Sequence, residues 1–259
     1  MNAIDQLFID QKKAVLNVYC TAGYPTLEST IEVIHALQDN GADLIEIGMP
    51  YSDPLADGPV IQQSNMIALQ NGMRIPVLLH QLKTNAAFIK VPIILMGYLN
   101  PVLQYGIEQF CKDASEAGVS GIILPDLPLF EFETIYQPIF KQYNLAFIFL
   151  ITPETSEERI RKIDALSTGF VYAVSSSSTT GSDKISDPTN YFIKLQQLQL
   201  KNPILVGFGI KDKVGFEKAS LYTHGAIIGS AYIKALANSS NITASTATFL
   251  NTILGKKES

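Results

Sequence analysis

A chain of 259 residues with 47% hydrophobic and 17% charged residues is too apolar for a disordered protein. Its formal net charge of -5 argues against a nucleic-acid footprint, which needs clustered cations on the phosphates; Lys256 and Lys257 at the tail are too few. The two cysteines, Cys20 and Cys111, lack metal or redox spacing and read as reduced, partly buried thiols.

Residues 1–13 are polar and of mixed charge, unlike a signal peptide, and no apolar run approaches the roughly 20 residues of a membrane span. The expectation is a soluble, cytoplasmic protein. Along the chain, short apolar runs at 14–20, 44–48, 93–96, 121–124, 146–151, 170–174, 204–206 and 226–228 alternate with segments of helical period. Those segments are 27–40, which ends on Asn40-Gly41, and 102–117, 131–143, 156–167, 189–200 and 212–222. Strands apolar on both faces, each followed by a helix, imply a parallel sheet under helices. Eight such units in about 250 residues predict a closed (β/α)₈ barrel, a TIM barrel, rather than a doubly wound sheet. A helix over 2–12 is expected to cap its bottom, and 243–254 to form an extra C-terminal helix. No domain boundary stands out, so 1–259 reads as one barrel domain.

In such barrels, chemistry sits at the C-terminal ends of the strands. Glu46 lies near the end of the second strand, inside an apolar run where an ionised carboxylate is expensive without a partner. The loop after it is stiffened by proline and carries Asp53 and Asp57. Glu46 and Asp57 in different surroundings can divide acid–base work, the drier one kept as an acid. Taken singly, Asp57 also fits an Asp-Gly turn and Asp53 an Asx-turn before Pro54. Tyr172 is near the end of the sixth strand. The glycines of Gly207-Phe208-Gly209 and Gly229-Ser230, after strands seven and eight, predict a phosphate site at a helix N-terminus. The segment 175–187, with six serines and two threonines, reads alone as a linker, but its position after strand six makes it a lid candidate. His35, His80 and His224 have no metal spacing and read as structural or exposed. Asp126, in Leu-Pro-Asp-Leu-Pro, is either a loop cap or a binding-surface residue.

The stretch Glu46-Ile-Gly-Met-Pro-Tyr-Ser-Asp-Pro-Leu-Ala-Asp-Gly-Pro resembles the signature of the tryptophan synthase alpha subunit family. Thr21-Ala-Gly-Tyr-Pro, Met96-Gly-Tyr-Leu-Asn-Pro, Pro125-Asp-Leu-Pro, Gly207-Phe-Gly-Ile and Ile228-Gly-Ser-Ala extend the resemblance over nearly the whole chain. It implies retro-aldol cleavage of indole-3-glycerol phosphate to indole and glyceraldehyde 3-phosphate, a lyase step of tryptophan biosynthesis. It also implies that Glu46 is the catalytic acid/base, that Asp57 bonds the indole N–H, and that Tyr172 positions the glutamate. By the same resemblance Gly181, Gly209, Gly229 and Ser230 cradle the phosphate, while Tyr19, Met96, Ile123, Leu150 and Phe208 line the indole pocket. The implied partner is a beta subunit in an α₂β₂ heterotetramer. Pyridoxal phosphate is expected in that subunit, and neither cofactor nor metal in this one. Pro50, Asp53 and Asp126 match positions tied to the interface, and Thr180 links the lid to Asp57. One departure is Ser178, where the family usually carries glycine. A non-catalytic activating subunit and a stand-alone lyase are the competing readings, and the joint presence of Glu46, Asp57 and Tyr172 argues against the first.

Overall fold

The computed structural model describes residues 1–11, 14–54, 57–174, 189–207, 209–237 and 239–255. Its strands are β1 (Val15–Thr21), β2 (Leu44–Gly48), β3 (Ile93–Met96), β4 (Val119–Ile123), β5 in two halves (Ala146–Phe147 and Leu150–Ile151), β6 (Val171–Val174), β7 (Ile204–Gly207) and β8 (Gly225–Ile228). All pair in parallel, in the order β4-β3-β2-β1-β8-β7-β6, with one half of β5 at each end. That arrangement closes the barrel. The first half of β5 pairs with β4 and the second with β6. Between them the Ile148 N–H still donates to the Ile122 C=O (3.0 Å), and the Phe149 C=O accepts from the Tyr172 N–H (3.0 Å). The single run read at 146–151 is thus one strand that changes partner midway.

The helices begin and end where local chemistry directs. Asn2 caps Ala3–Asp10 by accepting from the Ile4 N–H (2.9 Å), and its own amide donates to the Ser120 and Asn144 carbonyls. Ile4 and Phe8, one turn apart, then face the barrel bottom and join the interior residues Val15, Leu44, Phe170 and Ile227. The bottom cap read from the sequence is this plug. Ser29–Asn40 ends at Gly41 with φ 105°, a left-handed turn that glycine adopts without Cβ strain. The extra C-terminal helix, Ile242–Leu254, is capped by Asn241 and packs on Ser29–Asn40, with Thr246 hydrogen-bonded to Tyr232 (2.8 Å).

Two expected helices differ in detail. The segment 102–117 is two helices, Leu99–Tyr105 and Ile107–Glu116, broken at Gly106 with φ 93°. The segment 131–143 starts earlier, at Leu129, and passes through a π turn, Phe132–Tyr136, in which the Gln137 N–H reaches back five residues to the Phe132 C=O. Pro138 follows and has no N–H for an ordinary helical bond to Thr134, which favours the wider turn. Helix Ile75–Asn85, absent from the sequence reading, packs against Ser29–Asn40. No helix among the described residues is long and apolar enough to cross a membrane.

Candidate active site

Glu46 lies on β2 with its side chain inside the barrel and is 1% exposed. Its Oε2 accepts from Asn17 Nδ2 on β1 at 3.0 Å. Among the described residues no salt bridge reaches it. Removal from water pushes the Glu46 carboxyl up to about 8; the Asn17 bond acts against that rise, and the charge of Asp57 adds to it. At neutral pH this carboxyl is mostly an acid.

Asp57 is half-buried on the loop after β2, just ahead of helix Pro59–Gln70. Its Oδ2 accepts from the Tyr98 hydroxyl (3.2 Å) and from Asn65 Nδ2 (3.4 Å). Partial burial raises its pKa, and these two donors hold the rise back. The two carboxylates therefore sit in unequal surroundings, Glu46 drier and Asp57 better supplied with donors. The sequence reading missed Asn17, Asn65 and Tyr98. Each is a neutral donor whose partner lies on another element, and local spacing carries no trace of such a pairing. For Asn17 one signal was available: it is a polar residue inside an apolar strand, as Glu46 is.

Two tyrosines flank the pair. Tyr19 stands beside Glu46 in the β1–β2 register. Its ring lies over Gly48, where a Cβ would fall 2.0 Å from its hydroxyl oxygen, and touches Gly229, where a Cβ would lie 3.4 Å from Tyr19 Cβ. The hydroxyl is 3.4 Å from Thr21 Oγ1, which is 2.7 Å from Ser64 Oγ. Because Ser64 donates to the Ile61 carbonyl, Thr21 donates to Ser64 and Tyr19 to Thr21. The Tyr19 proton is committed outward, leaving its oxygen lone pairs for other donors. Tyr172, on β6, lies over Gly207, where a Cβ would fall 2.3 Å from its ring and hydroxyl. Both phenols are held neutral, well above their ordinary range: Tyr19 by burial and then Asp57, Tyr172 by burial and then Glu46.

Around this cluster, Ile123 is buried, and Met96 and Leu150 are half-buried at the ends of their strands; all three pack with Tyr172 in the interior cluster. The structure therefore brings together Glu46, Asp57, Tyr172 and Tyr19 on one side and these apolar groups on another. Gly229 and Ser230 open helix Ser230–Ala237, whose Tyr232 and Ile233 N–H groups bond back to the Gly229 C=O, and Ser230 is exposed. Gly209 is exposed, with φ 76° and open space where a Cβ would go. At a helix N-terminus the N–H groups that precede the first intrahelical bond have no partner within the helix and suit an anion. Phe208, Thr180, Gly181, Ser178 and the 175–187 lid candidate lie outside the described residues.

The remaining expected positions are on the rim. Pro50 is half-buried; Asp53 is exposed and accepts from the Ser52 hydroxyl (2.5 Å). Asp126 is a cap: both its oxygens accept from the Leu99 N–H (2.9 and 3.1 Å), at the start of helix Leu99–Tyr105. Of the histidines, His224 accepts from the Ile204 N–H through Nδ1 and sets its edge on Phe8, and His80 is exposed. Cys20 and Cys111 are free cysteines, both buried rather than partly buried.

The model of the family "Tryptophan synthase alpha chain" matches residues 6–258. A tryptophan synthase alpha chain of Flavobacterium johnsoniae is 52% identical over 241 residues, covering 92% of this chain and 95% of that one. Among solved structures, tryptophan synthase subunit alpha from Legionella pneumophila is 33% identical with a TM-score of 0.88, covering 98% of this chain and 97% of that one. A chain of the tryptophan synthase complex from Pyrococcus furiosus is 31% identical with a TM-score of 0.85, covering 94% and 98%.

Proposed function

Because the chain belongs to the tryptophan synthase alpha chain family, whose members cleave indole-3-glycerol phosphate in tryptophan biosynthesis, we propose that Glu46 and Asp57 carry out that scission within one barrel domain spanning 1–259. The chain is a lyase, and its products are indole and glyceraldehyde 3-phosphate. The observation that supports the assignment is the dry Glu46 carboxyl, raised to about 8 beside Asp57 at the barrel mouth.

The chemistry follows from that protonation state. Glu46, starting as the acid, gives its proton to the indole carbon bearing the glycerol chain, and the ring becomes an electron sink. Asp57, ionised, accepts from the indole N–H and stabilises the positive charge that develops there. The carbon–carbon bond then breaks, and its electron pair returns to the ring. The side-chain hydroxyl becomes the aldehyde and releases its proton to Glu46, which ends as it began. One glutamate serves both steps because each restores the form the other needs. Tyr172 packs beside it and fixes its direction. Tyr19, Met96, Ile123, Leu150 and Phe208 form the indole pocket, while Gly181, Gly209, Gly229 and Ser230 hold the phosphate.

Assembly is part of the same reading. The Pyrococcus furiosus relative was solved as a tryptophan synthase complex. By that likeness this chain joins a pyridoxal-phosphate beta subunit in an α₂β₂ heterotetramer, in the cytoplasm, through the rim of Pro50, Asp53 and Asp126. Thr180 links the lid to Asp57, and the acid–base steps need no cofactor in this chain.

The test is indole release from indole-3-glycerol phosphate, with and without the beta subunit. Glu46→Gln is expected to lower kcat by about 10²–10⁴-fold, the range of a lost general acid–base group, and Asp57→Asn by less. Undiminished turnover by Glu46→Gln overturns its role.

A further inference from the structure

Asn17 is fully buried on β1, at an inward position of the barrel. Its Nδ2 donates to Glu46 Oε2 at 3.0 Å, and its Oδ1 meets no hydrogen-bond donor among the described residues. A buried amide oxygen left without a donor costs about 1–3 kcal/mol, so an apolar side chain would suit a purely structural position better. The amide has a second use at this place. Its two ends are a donor and an acceptor of nearly the same shape, and turning it over exchanges them.

We propose that Asn17 is a positioning residue for both protonation states of Glu46, its Nδ2 donating to the carboxylate and its Oδ1, with the amide turned over, accepting from the carboxylic acid. The inference rests on the reading that Glu46 gives up and regains a proton in each turnover. No other neutral hydrogen-bond partner of Glu46 occurs among the described residues. Among the described residues, the titratable groups facing it are Tyr19 from β1, Tyr172 from β6 and Asp57 from the loop after β2; Cys20, on the outer face of β1, senses its charge, and β3 sets Ile94 beside it. None is a cation. Among the described residues the ionised form is thus supported by the amide alone, and without it Glu46 would give up its proton less readily in each turnover.

The test is nuclear magnetic resonance titration of the protein labelled at the Glu46 carboxyl carbon and the Asn17 side-chain nitrogen. In the wild type both signals are expected to move with one common midpoint, and the Asn17 change to vanish in Glu46→Gln. Asn17→Leu is expected to raise the Glu46 midpoint by about one pH unit, because the bond lost from the charged form is worth more than the bond lost from the acid. The same variant lowers kcat for indole release with little change in KM. Asn17→Thr, whose hydroxyl both donates and accepts, brings the midpoint and kcat back toward wild type. An Asn17 signal indifferent to the Glu46 titration overturns the proposal even if Asn17→Leu does not fold, and so does an unmoved midpoint in a folded Asn17→Leu. These readouts are independent of turnover by Glu46→Gln, so failure of the catalytic assignment and failure of the amide partnership are told apart.

Discussion

Val15, Leu44, Ile94, Phe170, Leu205 and Ile227 fill the lower barrel interior, sealed below by Ile4 and Phe8. The next inward position along each of the same strands holds Asn17, Glu46, Met96, Tyr172, Gly207 and Gly229. Two residues of advance therefore change the interior from a packed hydrocarbon layer to one of carboxyl, amide, phenol and glycine, with the Met96 thioether among them. The lower layer excludes water and fixes the strands. The upper layer uses that dryness to shift the ionisation of its polar groups, and uses glycine to make room for rings. A dry floor is what turns Glu46 into an acid at neutral pH.

The most sensitive way to break this contrast is the pH dependence of stability. Glu46 has an ordinary value of 4.5 and is raised to about 8 in the folded chain. Below 4.5 it is protonated in both the folded and unfolded states and costs nothing. Between 4.5 and 8 the unfolded chain ionises first, so stability falls as pH rises, and above 8 the loss is complete. The slope is about 1.4 kcal/mol per pH unit, on the order of 5 kcal/mol across the window. In chemical denaturation, the stability of wild type relative to Glu46→Gln should decline by up to this amount from pH 4.5 to pH 8. A flat difference would mean that Glu46 is ionised in the folded chain throughout that range.

The lower layer should behave in the opposite way. Phe170→Ala removes a fully buried ring that faces Phe8 at 6.1 Å. A cost of about 3–5 kcal/mol is expected, as for other buried aromatic truncations. That cost should be nearly independent of pH, and kcat per folded molecule should change little. Loss of kcat in a fully folded Phe170→Ala sample would show that the two layers are not separable.

The strands were legible because a parallel barrel buries both faces of each, leaving apolar runs such as 44–48 and 93–96 that stand out from the helical period. Glu46 was legible for the converse reason, as a charge where the pattern demands hydrocarbon. What stayed hidden depends on stagger between elements. Asn17 lies opposite Leu44 in the β1–β2 register, and Glu46 opposite Tyr19, so their hydrogen bond is a diagonal that no single strand displays. Tyr98 reaches Asp57 across 41 positions for the same reason. Local sequence does not separate a cap from a surface residue at Asp126, since the N–H it accepts from belongs to Leu99, on a different βα unit. Helix Ile75–Asn85 escaped notice because the reading assigned one helix per strand, whereas β2 is followed by two.

The smallest expected effect addresses the glycines, which the sequence suggested only as phosphate ligands. Gly207 lies next to Phe208-Gly209, yet its absent side chain faces the other way, into the barrel, where Tyr172 fills the space. A methyl there would stand 2.3 Å from the ring and hydroxyl of Tyr172, which is 5% exposed and has little room to retreat. Gly207→Ala should therefore cost about 1–3 kcal/mol by overpacking. The displaced ring would move against Glu46, so kcat for indole release should fall together with stability. Ala at Gly209, where a Cβ meets open space but φ is 76°, strains only the backbone and should leave the Tyr172 ring and its neighbours undisturbed. Measuring both variants by denaturation and by indole release separates the two uses proposed for glycine at this mouth: space for the Tyr172 ring at Gly207, and a loop for the phosphate at Gly209. Equal losses of kcat with unchanged KM in both would show that the division is wrong.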